Sequence, residues 1–264
     1  MSAPDGPPEV LLEVAGSVAR ITMNRPEARN LLTASGMALL AEHLRSAGAD
    51  PDVRVIVLTG TGSTFCAGAD LRGASAADAS SFTGSGPGAL VGVLEAMLDS
   101  PKPVIARVQG HVAGGGNGLV AAADLSVAAA SARFAFSEVR LGVAPAVISV
   151  VCLARMHRAH AQELLLTGER VGAERMVVAG MLNRVVADDA LDGVVDGWVA
   201  ALLAGGPEAL RHTKDLLRVV PGMARDEAFA HTAALSAQLF ASPEAAAGMA
   251  AFLSRSPAPW VPSP

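Results

Sequence analysis

The chain has 264 residues, of which 51% are hydrophobic and 17% are charged. These proportions are typical of a packed globular protein, and they exclude disorder as its main state. The net charge of -5 offers no basic field for a nucleic acid, and the uncharged apolar stretch from Leu141 to Ala154 is too short to span a membrane.

The cysteines and the first residues of the chain indicate a compartment. Cys66 and Cys152 lie in apolar surroundings and form no C-x-x-C pair, which favours a reducing compartment. Met1 to Glu9 is acidic and Pro-rich, without the basic start and apolar core of a signal peptide. We therefore expect a cytoplasmic protein. The sequence shows no cluster of metal-ligating residues, so we expect no metal.

The first part of the chain predicts strands and a helix. Apolar residues alternate from Val10 to Asn24 around Ala15-Gly16-Ser17, which predicts a hairpin. Helical spacing follows from Thr33 to Ala47, and Val53 to Leu58 has the apolar, β-branched composition of a buried strand. The segment Gly73 to Gly88 is rich in Ala, Ser and Gly, so we expect a mobile lid or a pocket rim there.

A second strand, turn and helix repeat this order. Leu90 to Leu98 predicts a helix, and Val104 to Val108 predicts a buried strand that leads, like the first, into a Gly-rich turn. This repetition predicts an α/β fold of stacked ββα units. The last third is predicted to be mainly helical, with helices at Ala159 to Leu166, Ala173 to Ala179, Asp188 to Leu203, Pro207 to Val219 and Asp226 to Ser236.

The first stretch that indicates chemistry is F-C-A-G-A-D-L, from Phe65 to Leu71. Small residues at such a turn let the backbone approach a ligand, and N–H groups at the turn can act as donors. A tight turn in which Asp70 caps a following helix is the alternative. This stretch by itself favours the alternative.

The second stretch is G-H-V-A-G-G-G-N-G-L, from Gly110 to Leu119, at the start of an Ala-rich helix. A helix N-terminus has unsatisfied N–H groups and partial positive charge, and glycines let a carbonyl oxygen approach them. The spacing matches neither G-x-G-x-x-G nor G-x-x-x-x-G-K, which argues against a dinucleotide site or a P-loop. Close packing of three glycines is the alternative.

Together these stretches resemble the crotonase superfamily, the enoyl-CoA hydratase and isomerase family, and the resemblance covers nearly the whole chain. Further segments match the family's order of motifs. They are N-R-P-x-x-x-N in Asn24 to Leu32, F-x-A-G-x-D-L in Phe65 to Leu71, G-x-x-x-G-G-G in Gly110 to Gly116, F-x-x-x-E-x-x-x-G in Phe134 to Gly142, and later landmarks in Leu166 to Gly168, Ala179 to Asn183 and Glu244 to Leu253.

The resemblance implies a spiral of repeated ββα units. It implies an acyl-CoA site within residues 1–195 and a helical trimerisation region in residues 196–264. The expected substrate is an acyl-CoA thioester, with no cofactor beyond the CoA that the substrate carries, and the expected assembly is a homotrimer or a dimer of trimers. No nucleic acid or membrane partner is expected.

The resemblance also implies roles for individual residues. The N–H groups of Ala69 and Gly115 match the family's oxyanion hole for the thioester oxygen, and Glu138 matches a catalytic glutamate. By position, the predicted substrate-binding residues are Ala67, Asp70, Leu71 and Gly114, with Arg25, Arg29 and Arg72 near the CoA phosphates and Arg255 arriving from a neighbouring subunit. For each arginine, a solvated surface position is an equally good interpretation.

One departure from the family pattern bears on the reaction. Related hydratases hold a water between two glutamates, but the first of these positions is Gly118 here, and only Glu138 remains. A missing acid–base group typically costs about 10²–10⁴ in rate. The segment after Glu138 departs too, since Leu141 to Ser149, which reads L-G-V-A-P-A-V-I-S, differs from the usual P-G-A-G-G-T.

Hydration of a 2-enoyl-CoA to a 3-hydroxyacyl-CoA, within fatty acid metabolism, is the first function that the resemblance implies. Δ3,Δ2-enoyl-CoA isomerisation by a single glutamate is the alternative. Hydrolysis or decarboxylation of an acyl-CoA and a non-catalytic CoA-binding paralogue also stay open. A surface position is the alternative for Glu138, whereas burial beside Phe134 and Phe136 would raise its pKa. His111 and Cys66 are weaker candidates for chemistry.

Overall fold

The computed structural model describes residues 7–70 and 87–262. The described strands form two sheets, one of six strands and one of four. In spatial order, the larger sheet contains β1 (Val10–Ala15), β2 (Val18–Met23), β3 (Val55–Gly60), β5 (Val104–Val108), β7 (Leu125–Ala129) and β10 (Arg184–Val186). The smaller sheet contains β4 (Thr64–Cys66), β6 (His111–Ala113), β8 (Arg133–Ala135) and β9 (Arg170–Gly172).

Ten α-helices lie in the described ranges 7–70 and 87–262. They are α1 (Ala34–Ala49), α2 (Pro87–Leu98), α3 (Gly115–Ala122), α4 (Ala146–Arg155), α5 (Arg158–Thr167), α6 (Ala173–Val178), α7 (Leu191–Ala204), α8 (Pro207–Val219), α9 (Arg225–Phe240) and α10 (Pro243–Ser254). None of them is both long and apolar enough to cross a membrane. The expected boundary at 195/196 falls inside α7, and the division into two regions stays a prediction.

The pairing of the strands confirms the repeated ββα units. β1 and β2 form the predicted antiparallel hairpin, and β2, β3, β5 and β7 continue the larger sheet in parallel. Each of the pairs β3 and β4, β5 and β6, and β7 and β8 gives one strand to each sheet, and α2, α3 and α4 follow these pairs along the chain. Because β4, β6 and β8 are neighbours and run in parallel, the turns that follow them lie side by side at one edge of the smaller sheet.

Helices cover both faces of the larger sheet, as a parallel sheet requires. Every residue of β3 is buried. Its side chains alternate in direction, so Ile56 and Leu58 belong to the cluster that contains Leu40 and Leu44 of α1. On the other face, Val55 and Val57 of the same strand belong to the cluster that contains Leu191 and Val195 of α7.

The largely buried side chain of Lys214 holds α8 against the core. The Lys214 ammonium lies 2.8 Å from Asp124 Oδ2 and also donates to the carbonyl oxygens of Met97 and Lys102. Asp124 Oδ2 in addition accepts the N–H of Val104 at 2.7 Å, at the start of β5. The side chain of Lys214 is only 10% exposed. This contact joins the helical C-terminal part of the chain to the sheet.

Replacing Lys214 with Met should lower the free energy of unfolding by about 1–3 kcal/mol, because Asp124 and two carbonyl oxygens then lose their shared donor. Urea denaturation measures this change. Arg225→Met is the control, since the Arg225 to Asp226 pair is 86% and 96% exposed and such surface pairs contribute little. Equal stability of the Lys214→Met protein and the parent would contradict the role given to this contact.

Candidate active site

The turns after β4 and β6 meet at two glycines. Gly68 has a φ of +95° and Gly114 a φ of +52°, a region that favours glycine. A Cβ on Gly114 would lie 3.4 Å from Gly68 Cα, and a Cβ on Gly68 would lie 3.2 Å from the Ala113 carbonyl oxygen. This close approach places the neighbours of the two glycines, Ala69 and Gly115, beside each other.

The segment around Ala69 is held by hydrogen bonds that leave its own N–H available. Leu32 donates its N–H to the Gly68 carbonyl at 2.8 Å, and Asp70 donates its N–H to the Leu32 carbonyl at 3.0 Å. These bonds form a short parallel bridge between Leu32 and Ala69. Within residues 7–70 and 87–262, nothing accepts a hydrogen bond from the Ala69 N–H.

Gly115 is the first residue of α3, and its N–H has no acceptor in the described part of the chain. The first N–H groups of a helix lack partners within the helix and carry partial positive charge. The N–H of the preceding Gly114 donates to the Ala135 carbonyl oxygen at 3.4 Å. Ala69 and Gly115 thus present two backbone donors, which is the composition of an oxyanion hole.

Glu138 approaches this pair of donors from the segment after β8. It lies in the 3₁₀ helix Ser137–Leu141, and its Oε1 is 3.7 Å from the position of a Cβ on Gly114. Its Oε2 is buried and has no hydrogen-bond partner among the described residues. Burial raises the pKa of this carboxyl group, with a smaller opposing effect from a backbone hydrogen bond. A half-buried carboxylate with one oxygen free of described partners and a raised pKa suits proton transfer.

Gly118 faces isoleucine and leucine side chains. A Cβ on Gly118 would lie 2.6 Å from Ile148 Cγ2 and 3.6 Å from Leu94 Cδ2. One turn earlier on α3, a Cβ on Gly115 would lie 3.1 Å from Leu32 Cδ1 and 3.3 Å from Leu90 Cδ2. We call this set the apolar wall: Leu32, Leu90, Leu94 and Ile148.

Sequence reasoning missed the apolar wall as part of the site. Leu90, Leu94 and Leu32 have the spacing of ordinary core residues, so no pattern distinguishes them. Ile148 carried a visible signal, because it stands where the P-G-A-G-G-T pattern has its second glycine. Its distance from Gly118 depends on how α4 packs against α3, which the sequence does not state.

Asn117 is a second residue that sequence reasoning missed. It is fully buried, its backbone N–H donates to the Gly114 carbonyl at 2.9 Å, and its side-chain amide donates to the Ala135 carbonyl at 2.8 Å. Ala135 ends β8, and Glu138 follows three residues later. The hydrogen bonds of Asn117 therefore connect the turn at Gly114 to the segment that contains Glu138. A buried amide among glycines and apolar residues was the available signal.

The remaining predicted residues near the donors are Ala67, Asp70, Gly114 and Arg29. Ala67 donates its N–H to the Arg29 carbonyl at 3.1 Å, which holds the turn against the segment after β2. The side chain of Arg29 is exposed, and its backbone has a left-handed φ of +55°. These residues therefore border the donor turn, and their contact with a substrate stays a prediction.

The other predicted cations lie in different surroundings. The Nε of Arg25 is 3.7 Å from Glu9 Oε1, and its Nη1 is buried without a partner among the described residues. Arg255 ends α10 in a left-handed conformation and is exposed. Leu71 and Arg72 lie outside the described residues, as does the predicted rim from Gly73 up to residue 86. Their binding roles stay predictions.

Cys66 and His111 were the weaker candidates for chemistry, and Cys152 is the second cysteine of the chain. Cys66 and Cys152 are buried, and burial raises the pKa of each thiol to about 12. The charge of Glu138 raises the pKa of Cys152 further, which places this thiol near the carboxylate. Loss of solvent, and then the charge of Arg170, lowers the pKa of His111, whose ring lies 2.8 Å from the Arg170 guanidinium.

A family pattern described as enoyl-CoA hydratase/isomerase matches residues 13–262 of the chain. The matched span contains both donor turns and Glu138. The chain belongs to the enoyl-CoA hydratase/isomerase family. This confirms the family predicted from the ordered motifs, and it identifies the chain as an acyl-CoA enzyme of the crotonase superfamily.

Individual members of the enoyl-CoA hydratase/isomerase family agree in length and fold. The chain is 33% identical to the enoyl-CoA hydratase EchA19 of Mycobacterium tuberculosis, covering 96% of each protein. It is 35% identical to the carnitinyl-CoA dehydratase of Escherichia coli K12, over 81% of this chain and 82% of that protein. The crystal structure of an enoyl-CoA hydratase from Mycobacterium smegmatis superposes with a TM-score of 0.90 at 33% identity, covering 96% and 99% of the two chains.

Proposed function

We propose that the N–H groups of Ala69 and Gly115 bind the thioester oxygen of an acyl-CoA while Glu138 transfers a proton. The observation that supports this proposal is the meeting of two N–H donors that lack described acceptors with a half-buried carboxylate whose Oε2 has no described partner, at Gly114. As the carbonyl becomes an enolate, charge accumulates on its oxygen and strengthens both hydrogen bonds. Loss of one such donor costs about 2.7–4 kcal/mol in other enzymes.

The first net reaction that we propose is hydration of a 2-enoyl-CoA. Glu138 removes a proton from water as the water oxygen bonds to C3, and the same carboxyl group then gives that proton to C2. The product is a 3-hydroxyacyl-CoA, and no electrons are gained or lost. The names of the relatives, a hydratase and a dehydratase, support a reaction in which water is added or removed.

Isomerisation of a 3-enoyl-CoA is the second candidate, and the packing at Gly118 favours it. Glu138 removes a proton from C2 and returns it to C4, while the double bond moves from C3–C4 to C2–C3. This reaction needs one carboxylate and no water. Ile148 occupies the space beside Gly118 where a second carboxylate would extend.

A panel of 2-enoyl and 3-enoyl CoA thioesters of different chain lengths tests the proposal, with products identified by mass and NMR. A gain of water supports hydration, and a shifted double bond at unchanged mass supports isomerisation. Free CoA thiol would show hydrolysis instead, and loss of carbon dioxide from a malonyl-type thioester would show decarboxylation. Binding without conversion of any thioester would contradict the proposal and indicate a non-catalytic paralogue.

The raised pKa of Glu138 predicts the pH dependence of the reaction. The carboxylate must be ionised to accept a proton, so kcat/KM should fall as the pH drops through the pKa of Glu138. Because burial raises this pKa, the fall should begin at a higher pH than for an exposed glutamate. A pH profile of kcat/KM measures it, and activity that persists to the pH where exposed carboxylates titrate would contradict the assignment.

The proposal requires no cofactor or metal beyond the CoA of the substrate, because the two donors and Glu138 provide the groups that enolate formation needs. We further propose a cytoplasmic enzyme of fatty acid metabolism that forms a homotrimer or a dimer of trimers. Large apolar side chains exposed on α8, α9 and α10 support an assembly through the C-terminal helices, and analytical ultracentrifugation tests it. These side chains are Leu217, Phe229, Phe240, Phe252 and Leu253.

A further inference from the structure

Gly118 on α3 and Ile148 on α4 pack directly against each other. Ile148 is 2% exposed, in the first turn of α4. A Cβ added to Gly118 would lie 2.6 Å from Ile148 Cγ2 and 3.2 Å from Ile148 Cβ. Carbon atoms do not approach within 2.6 Å without repulsion, so any side chain at position 118 would have to displace Ile148. The glycine and the isoleucine therefore depend on each other.

The two positions also depart from the family pattern in opposite directions. The pattern has a glutamate at position 118 and, counted from Pro145, a glycine at position 148. This chain has glycine at the first position and isoleucine at the second. The Ile148 side chain thus fills the space of the side chain that is missing at Gly118, but it does so with hydrocarbon in place of a carboxylate. The missing glutamate leaves a filled, apolar surface.

That surface is continuous with the oxyanion donors. Gly115 and Gly118 are three residues apart on α3, so they lie on one side of that helix. Leu90 and Leu94 are four residues apart on α2 and likewise lie on one side of it. The apolar wall therefore runs along α3 from the Gly115 donor to Gly118. Glu138 reaches the same turn at Gly114. A thioester bound at Gly115 would have the Glu138 carboxylate beside the donor turn, whereas hydrocarbon fills the side of α3 at Gly118.

We propose that Ile148 determines the ratio of hydration to isomerisation, because its side chain fills the space that a second carboxylate and its water need. The proposal rests on the proposed function, since it takes the thioester to bind at Ala69 and Gly115. With hydrocarbon at Gly118, Glu138 is the acid–base group among the described residues of the site, and no second described carboxylate there holds the water that hydration needs.

The test exchanges the two residues. Gly118→Glu alone should have a lower urea midpoint than the parent, because the introduced side chain would clash with Ile148. Gly118→Glu with Ile148→Gly should recover part of that midpoint. The matched control is Gly118→Glu with Val150→Gly, since Val150 is β-branched, lies on the same helix and is 73% exposed. This control also removes a β-branched side chain from α4 but opens no space at position 118, so it should give no recovery.

The rescued variant and the parent are then assayed for hydration of crotonyl-CoA and isomerisation of 3-hexenoyl-CoA. The ratio of hydration to isomerisation should rise at least about tenfold in the rescued variant, given that one acid–base group contributes about 10²–10⁴ in rate. Ile148→Ala, which retains a Cβ, serves if glycine unfolds the helix. An unchanged ratio, or the same recovery with Val150→Gly, would overturn the proposal. Failure of the parent to convert either thioester would instead contradict the proposed function.

Discussion

Replacing Glu138 with Gln is expected to lower kcat by about 10²–10⁴, the usual contribution of one general acid–base group. Gln keeps the size and shape of the side chain but cannot accept a proton. Because no other described carboxylate reaches Gly114, nothing in the described site takes over the proton transfer. Steady-state kinetics with the thioester that the parent converts fastest measures the loss.

Two further measurements separate this loss from a loss of folding or binding. Glu138 is half-buried, its Oε2 has no described partner, and its raised pKa means that ionisation is less favourable in the folded protein than in the unfolded chain. Removing the charge should leave the free energy of unfolding at neutral pH unchanged or higher. Calorimetric binding of a CoA thioester should be nearly unchanged. Glu42→Gln, on the exposed side of α1, is the control that should retain full activity. Retention of more than about a hundredth of parental kcat by Glu138→Gln, which is the smallest loss in the expected range, would contradict the assignment.

Replacing Gly114 with Ala is expected to lower kcat by about 10²–10³, the effect of removing one oxyanion donor. Its φ of +52° with a ψ of -127° is a conformation that an alanine adopts only with strain. The new Cβ would stand 3.4 Å from Gly68 Cα and 3.7 Å from Glu138 Oε1. These are ordinary contact distances, so the backbone strain is what would shift the turn, and the Gly115 N–H would shift with it.

Gly16→Ala provides a control for backbone strain. Gly16 also has a positive φ, of +57°, but a Cβ there meets nothing within 4 Å, in the hairpin between β1 and β2. Left-handed strain costs about 1–2 kcal/mol per residue, so both variants should be less stable than the parent. Only Gly114→Ala should lose activity, as measured by kcat beside a urea titration. Equal kcat in the two variants would contradict the role of the Gly115 N–H as an oxyanion donor.

Much of the secondary structure could be predicted from the sequence, where elements are long and periodic. The buried strand Val104–Val108 and the helix Pro207–Val219 have the predicted bounds, because an apolar run and a proline at the first helical position are local signals. The predicted helix Asp188 to Leu203 instead begins as a 3₁₀ helix at Asp188–Ala190. The strands β4, β6, β8 and β9 have three residues each, too few for a pattern of alternation.

The ordered motifs determined, from the sequence by itself, the family, the repeated ββα units and the identity of Ala69, Gly115 and Glu138 as candidates. The candidates follow from the family resemblance that the ordered motifs carry, and they do not need coordinates. The presence of Gly118 at the first glutamate position was likewise visible. The sequence did not show the consequence of this glycine, because a missing side chain could leave either open space or a filled surface.

The tertiary structure decided what surrounds these candidates. It brought Gly68 against Gly114, left Glu138 Oε2 buried without a described partner, and placed Ile148 in the space beside Gly118. Each of these facts joins residues from different ββα units or helices, and their distances are set by how those elements pack. Local periodicity records which face of an element is apolar, but the residue that meets that face depends on the packing of the whole chain.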